Sequence, residues 1–224
     1  MHVAYGEHIA RAIQRARWRS VLSLGIGHTE VARRIVEQLT AGPLRRYVIV
    51  DGAPKLIEAF RLSLEPVPAG LEIMKGFFET FECAGPFDAI EAGFVLEHVA
   101  DPALILHRLR RFLAPSGRLF IAVPNARSLH RLLGHHAGML ADMYMLSDAD
   151  LALGHKRYFD APSLADLVTR CGYRVEKMGG MLLKPFTTGQ MQKLDLPPAV
   201  WQALMTVSDG YPEIANAIYL EATV

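Results

Sequence analysis

Cysteine is scarce in this chain: Cys83 and Cys171 are its only two, and neither has a C-x-x-C partner. That spacing excludes a thiolate metal site and a disulfide framework, and it fits a reducing compartment in which both thiols act as small buried hydrophobes. Long hydrophobic runs are missing as well. No uncharged apolar stretch reaches the roughly 18 residues that a membrane span needs. The opening MHVAYGEHIARAIQRARWRS has no apolar core of the ~7 or more residues expected of a secretion signal. A cytoplasmic protein without membrane contact is the expectation. Charge of one sign is absent too. The 24 basic and 23 acidic side chains leave a formal charge of +1, so bulk charge announces neither nucleic acid nor a membrane surface as partner. Internal repeats, low-complexity segments and a G-K-[ST] triphosphate signature are also lacking.

What the chain has is alternation. Short apolar runs take turns with longer amphipathic segments, which predicts an α/β fold, Rossmann-like and doubly wound: a mostly parallel seven-stranded sheet with helices on both faces. Strands are expected at 21–24, 46–51, 71–76, 87–93, 117–124 and 173–179, with a last antiparallel one at 216–224. Helices are expected at 30–39, at 54–64 where Pro54 takes a tolerated first-turn position, after the N-cap Asp101, at 163–173 and at 199–207. Residues 126–160 are rich in His, Met and Leu and longer than a usual connection. They read as a helical, substrate-covering insertion after strand five within a single domain, 1–224.

The stretch VLSLGIGHTEV (21–31) carries the first site signal. Gly25 and Gly27 allow the backbone to pass close to a ligand, because a Cβ at either would occupy that space. A tight turn without any ligand is the plain alternative for two glycines alone. Asp51, closing the second strand, strengthens the ligand reading, since a carboxylate there can accept from both hydroxyls of a ribose. The third glycine of a dinucleotide fingerprint is replaced by His28 and Thr29, which argues against a pyrophosphate. The turn suits a nucleoside with a short substituent that is not a phosphate.

With these residues in view, the chain resembles the class I S-adenosylmethionine-dependent methyltransferases, small-molecule branch, over nearly its whole length. VLSLGIG and YVIVDGAPKLIEAF are similar to the first two motifs of that family. FDAIEAGFVLEHVADPALILHRLRRFLAPSGRLFIAVPN resembles the run shared by ubiquinone-pathway and sugar methyltransferases, and GHKRYFDAPSLADLVTRCGY resembles its later segment. The resemblance implies S-adenosylmethionine as cofactor. It implies that Gly25 and Gly27 line the methionine and ribose portion, that Asp51 holds the ribose hydroxyls and that Gly52 follows against the nucleoside. Phe77 and Phe78 would flank the adenine, with core packing as the alternative for one of them, and Ala92, Gly93 and Phe94 would close over the methionyl group. His28 and Thr29 become candidates for the methionine carboxylate or the helix start, Thr29 being an N-cap in the plain alternative.

On that reading an acceptor hydroxyl must lose a proton, and histidine is the side chain suited to take it. His98 in VLEHV and His155 in GHKRYFD are the catalytic candidates. For His98, donation to a backbone carbonyl that orients the loop remains open. Asn125, His130, Arg131, Arg157 and Tyr158 are candidates for the acceptor, while Arg157 has an ion pair with Asp160 as its alternative. His135 and His136 lack ligating neighbours, so no metal is expected, and His2, His8 and His107 read as solvated surface. The expected activity is O-methylation of a small-molecule acceptor, either a sugar or a hydroxylated aromatic or natural product. N-methylation of a small metabolite, a nicotinamide-dependent oxidoreductase and a cofactor-binding homologue without catalysis are the alternatives. Monomer and homodimer both stay open.

Overall fold

The computed structural model describes residues 1–224. In chain order the elements are α1 (His2–Ala16), β1 (Ser20–Leu24), α2 (Thr29–Ala41), β2 (Arg46–Asp51), α3 (Pro54–Leu62), β3 (Leu71–Lys75), β4 (Phe87–Gly93), α4 (Pro102–Arg110) and β5 (Leu113–Pro124). They continue with α5 (Leu129–His136), α6 (Asp148–Ala152), α7 (Ala161–Arg170), β6 (Arg174–Met181), α8 (Thr188–Gln192), α9 (Pro198–Ser208) and β7 (Ala217–Thr223). The strands make one seven-stranded sheet in the order β3-β2-β1-β4-β5-β7-β6. β7 runs antiparallel to both its neighbours and every other pairing is parallel.

The central strands are apolar on both faces because both faces are covered. Alternate residues of β1 show the division: Leu22 and Leu24 enter one core with helices α4 and α7, and Val21 enters the other with α1, α2 and α3. Strand order reverses beside β1, which lies between β2 and β4. Connections leave to opposite faces there, and a crevice opens beyond the carboxyl ends of β1 and β4.

Several elements depart from the sequence expectation, among them the short helix α8, which was not expected. β5 begins at Leu113 rather than Gly117, and its pairing with β4 shifts register between Phe87 and Ala89. The first helix, α1, was not anticipated, although Tyr5, Ile9, Ala12 and Ile13 recur at helical spacing and are all buried. It ends at Arg17, whose φ of 56° lies in the left-handed region. Cys171 is buried as expected, whereas Cys83 is half-buried.

The segment between β5 and α7 is pinned at both ends. Asn125 bridges to Phe159 at its base, and α7 opens on a capping box in which the Asp160 carboxylate accepts from the Ser163 amide at 2.9 Å while the Ser163 hydroxyl returns a contact to the Asp160 amide. The second Asp160 oxygen accepts from the Tyr144 hydroxyl at 2.6 Å. Asp160→Ala is expected to lower stability by about 1–2 kcal/mol in urea denaturation and to speed proteolytic cutting between α5 and α6. Unchanged stability would show that the cap contributes nothing.

Candidate functional site

The turn after β1 is built on two left-handed glycines, Gly25 at φ 84° and Gly27 at φ 45°, a conformation that side-chain-bearing residues rarely adopt. A Cβ on Gly27 would meet nothing within 4 Å, and one on Gly25 would lie 3.6 Å from the Phe78 ring and 3.8 Å from Asp51 Oδ2. The turn therefore leaves open space beside a carboxylate and an aromatic ring. Asp51 is buried. Its Oδ2 accepts from the Ile26 amide at 2.8 Å and its Oδ1 from the Ala53 amide at 2.7 Å. A carboxylate offers about four acceptor positions, so lone pairs remain on both oxygens. The cavity these groups share is about 470 Å³, within the range of roughly 300–1,000 Å³ typical of small-ligand sites.

α1 roofs the site from the other side. The His2 ring stacks on His28 at 3.2 Å and meets Phe94 edge-on at 4.7 Å, which corrects the reading of His2 as solvated surface. His8 is likewise engaged, with Nε2 2.8 Å from Glu221 Oε1. Burial holds the His28 imidazole below its ordinary value and takes His2 down to about 4, so both rings are neutral near pH 7 and stack without like-charge repulsion. Phe94 has a φ of 59°, a strained conformation for a residue with a side chain, and this turns its ring over the cavity.

The loop after β4 brings titratable groups together. His98 lines the cavity beside Leu153 and Phe94, and the His155 ring lies 4.8 Å from it at 74°. Burial first, then His155, hold the His98 imidazole below its ordinary value, against a hydrogen bond with the Gly154 backbone that favours its charged form. Behind them, His155 Nδ1 is 3.2 Å from Asp150 Oδ1 but makes no hydrogen bond, and that oxygen accepts from the Tyr158 hydroxyl at 2.9 Å. Asp150 Oδ2 accepts from the amide and hydroxyl of Ser147, and these hydrogen bonds hold the Asp150 carboxyl below its usual range despite burial. Glu97 is buried with both oxygens unpartnered, and burial raises its carboxyl to about 8. Glu97, His98 and His155 present polar atoms within 4.8 Å of one another, a protonated acid beside two imidazoles. Sequence reasoning missed this grouping because His155 is remote along the chain.

The cavity unites Gly25, Gly27, His28, Asp51, Phe78, Gly93, Phe94 and His98. Thr29 is not the N-cap: it is the first residue of α2, and His28 occupies the cap without a side-chain bond. Phe77 is 71% exposed with its ring 3.8 Å from where a Gly52 Cβ would stand, whereas Phe78 packs against the core while also lining the cavity. Ala92 is buried in β4, and His155 stands behind His98.

The residues expected at the acceptor are engaged elsewhere. Asn125 is buried, donates to the carbonyls of Pro212, Glu213 and Ala215, and accepts from the Arg127 amide. Arg157 donates to the carbonyls of Leu96, Val99 and Ala100, which replaces both the substrate contact and the Asp160 ion pair expected of it. Arg131 donates to the Met143 and Met145 carbonyls and lies over the Tyr158 ring at 4.2 Å. These three brace loops through hydrogen bonds to backbone carbonyls. His130 sits 3.1 Å from the Ser128 hydroxyl, and burial, then Lys184, take its imidazole down to about 4.

Residues 2–178 match the family described as Methyltransferase domain. A ubiquinone biosynthesis O-methyltransferase of Xanthomonas axonopodis pv. citri is 29% identical over 186 residues, covering 80% of this chain and 72% of its own. Among solved structures, an S-adenosylmethionine-dependent methyltransferase from Mesorhizobium loti superposes with a TM-score of 0.64 at 15% identity, covering 98% of this chain and all of its own. A glycopeptide N-methyltransferase complexed with sinefungin superposes at 0.60 with 13% identity, covering 98% of this chain and 94% of its own. At these identities the structures speak for the fold.

Glu97 generates a stability prediction. Its folded carboxyl keeps a proton up to about pH 8, whereas the unfolded one ionises near 4.5, so the folded state binds more protons and stability falls as pH rises between those values. Glu97→Gln should remove that slope and make the protein more stable than wild type at pH 9, by on the order of a few kcal/mol. Parallel pH profiles for the two proteins in urea denaturation would refute the buried neutral acid.

Proposed function

The chain belongs to the methyltransferase-domain family and uses S-adenosylmethionine as its cofactor, and from this premise we propose that it transfers a methyl group to a hydroxyl of a small, largely aromatic acceptor with His98 as the base. The observation that supports this reading is the cavity itself: Asp51 stands at one end, on β2, and His98 opens onto the other, beyond β4.

The chain's groups fit the cofactor. The unused lone pairs of Asp51 suit the two ribose hydroxyls, the space beside Gly27 admits the ligand backbone-close, and the Phe78 ring suits an adenine face. Adenosine on the β2 side leaves the methionyl end over β4, under Gly93 and Phe94. When bound, the cofactor supplies an activated methyl group on a sulfonium sulfur. The protein has to align an acceptor oxygen with the sulfur-methyl axis and keep water away. His98 is placed to take the hydroxyl proton on the ring nitrogen not engaged with the Gly154 backbone. His155, close to Asp150, stands behind it as the orienting partner. Phe94, Val95 and Leu153 make that end of the cavity apolar, which favours a hydroxylated aromatic or natural product over a sugar. The Xanthomonas relative, named for O-methylation in ubiquinone biosynthesis, supports the same acceptor class.

Because the His98 imidazole lies below its ordinary 6.5, the base is already neutral at pH 7. Methyl transfer should therefore rise with pH through a midpoint below 6.5 and stay level above it. On an acceptor found by screening catechols and substituted phenols, His98→Gln should slow transfer by about 100-fold or more while S-adenosylmethionine affinity changes little. His155→Gln should slow it less. Wild-type turnover by both variants would end the proposal.

A further inference from the structure

A second carboxylate lines the cavity, and nothing in the reaction described above uses it. Glu91 is the fifth residue of β4, buried, and paired in register with Ser23 of β1 directly below the glycine turn. Its Oε1 accepts from the Gly93 amide at 2.6 Å. No arginine, lysine or histidine lies within ion-pair distance of it among the ion pairs of the molecule. An acid in an apolar layer without a cation is costly unless it stays protonated or a cation is brought to it.

A second buried polar group adjoins Glu91 behind the cavity wall. Tyr5, packed in from α1, is 2% exposed and its hydroxyl has no hydrogen-bond partner. Its ring lies so close to Gly93 that a Cβ there would overlap it, and the same Cβ would stand 2.7 Å from Glu91 Oε1. Glu91, which lines the cavity, is therefore backed by a neutral group that offers it no cation. Asp51 and Phe78 stand at the β2 and β3 end, so an adenosyl group held there extends its sulfonium and amino-acid portion toward Glu91.

We propose that Glu91 reads the charge of the bound cofactor. It releases its proton to solvent when the cationic sulfonium form binds and recovers one once the methyl group has left. In the transfer the carbon-sulfur bond breaks with its electron pair kept by sulfur, the carbon-oxygen bond forms, and the hydroxyl proton goes to His98. The sulfur becomes neutral, the attraction for an ionised Glu91 weakens, and the product is held less firmly than the donor. The inference rests on the cofactor orientation proposed above. Burial raises the Glu91 carboxyl to about 7 against the Gly93 amide and the Ser23 hydroxyl, which places the exchange in the neutral range.

The other titratable groups facing this place are few. Tyr5 of α1 and Tyr47 of β2, whose hydroxyl donates to Ser23 at 2.9 Å, are both raised above their ordinary value and remain neutral. Asp51, His28 and His98 share the cavity, and burial holds both imidazoles below their ordinary value.

Isothermal titration calorimetry on the wild-type protein between pH 6 and 8, in two buffers of different ionisation heat, tests this with S-adenosylmethionine and S-adenosylhomocysteine. The preference for the sulfonium form should grow about tenfold over that range, and its binding near pH 7 should release about half a proton more than product binding does. Glu91→Gln should bind both ligands with a ratio independent of pH and without the extra proton. A flat wild-type ratio, or a Gln variant that keeps the slope, overturns the proposal, and the wild-type measurement decides even if the variant folds poorly. Asp51→Ala separates the two readings. If it binds both ligands like wild type, the orientation is wrong and this inference falls with it. If it loses both while the wild-type ratio is flat, the Glu91 proposal alone fails.

Discussion

The carboxylate of Asp51 is the tie on which the site depends. One oxygen takes the Ile26 amide from the β1 turn and the other takes the Ala53 amide at the start of α3. The carboxyl ends of the neighbouring strands β1 and β2 and the start of α3 are thereby held together. A turn containing two left-handed glycines has little conformational preference of its own, and the carboxylate supplies what it lacks. The remaining lone pairs of the carboxylate are oriented by the same bonds. Ionic hydrogen bonds to backbone amides are among the stronger contacts a fold can make.

Around that tie the chain concentrates buried polar groups on the carboxyl side of β4. Glu91, Glu97, Asp150, His98 and His155 all lie at or behind one end of the cavity, and burial is the leading influence on three of them in the direction of neutrality. A protonated Glu97 and a neutral His98 sit side by side without the repulsion that ionised neighbours would impose, while hydrogen bonds hold the Asp150 carboxyl below its usual range. The cluster thus sets proton-holding groups and one carboxylate together at one end of the cavity.

The sheet was legible because the central strands are buried on both faces and so read as short apolar runs, with Val48 to Val50 and Leu119 to Val123 as the clearest. The glycine turn and Asp51 were legible because they are close in sequence and of unusual type. α1 was readable from Tyr5, Ile9, Ala12 and Ile13 but is masked by its arginines, which carry the helix's exposed face. Asp150 and Glu91 carried no local signal: their importance arises from partners remote in the chain or from the lack of any. Arg131, Arg157 and Asn125 mislead for one shared reason. Their polar groups look destined for a ligand, and they are instead spent on backbone carbonyls, acceptors that every residue possesses and no sequence pattern displays.

Arg157 has a consequence of its own. Its guanidinium grips three carbonyls of the loop carrying His98, while its backbone belongs to the return of the segment that contributes Leu153 to the cavity. The loop and the returning segment are thus tied through one side chain, so the position of His98 relative to Leu153 is set by three bonds to carbonyls, and neither stretch of chain can shift without pulling on the other.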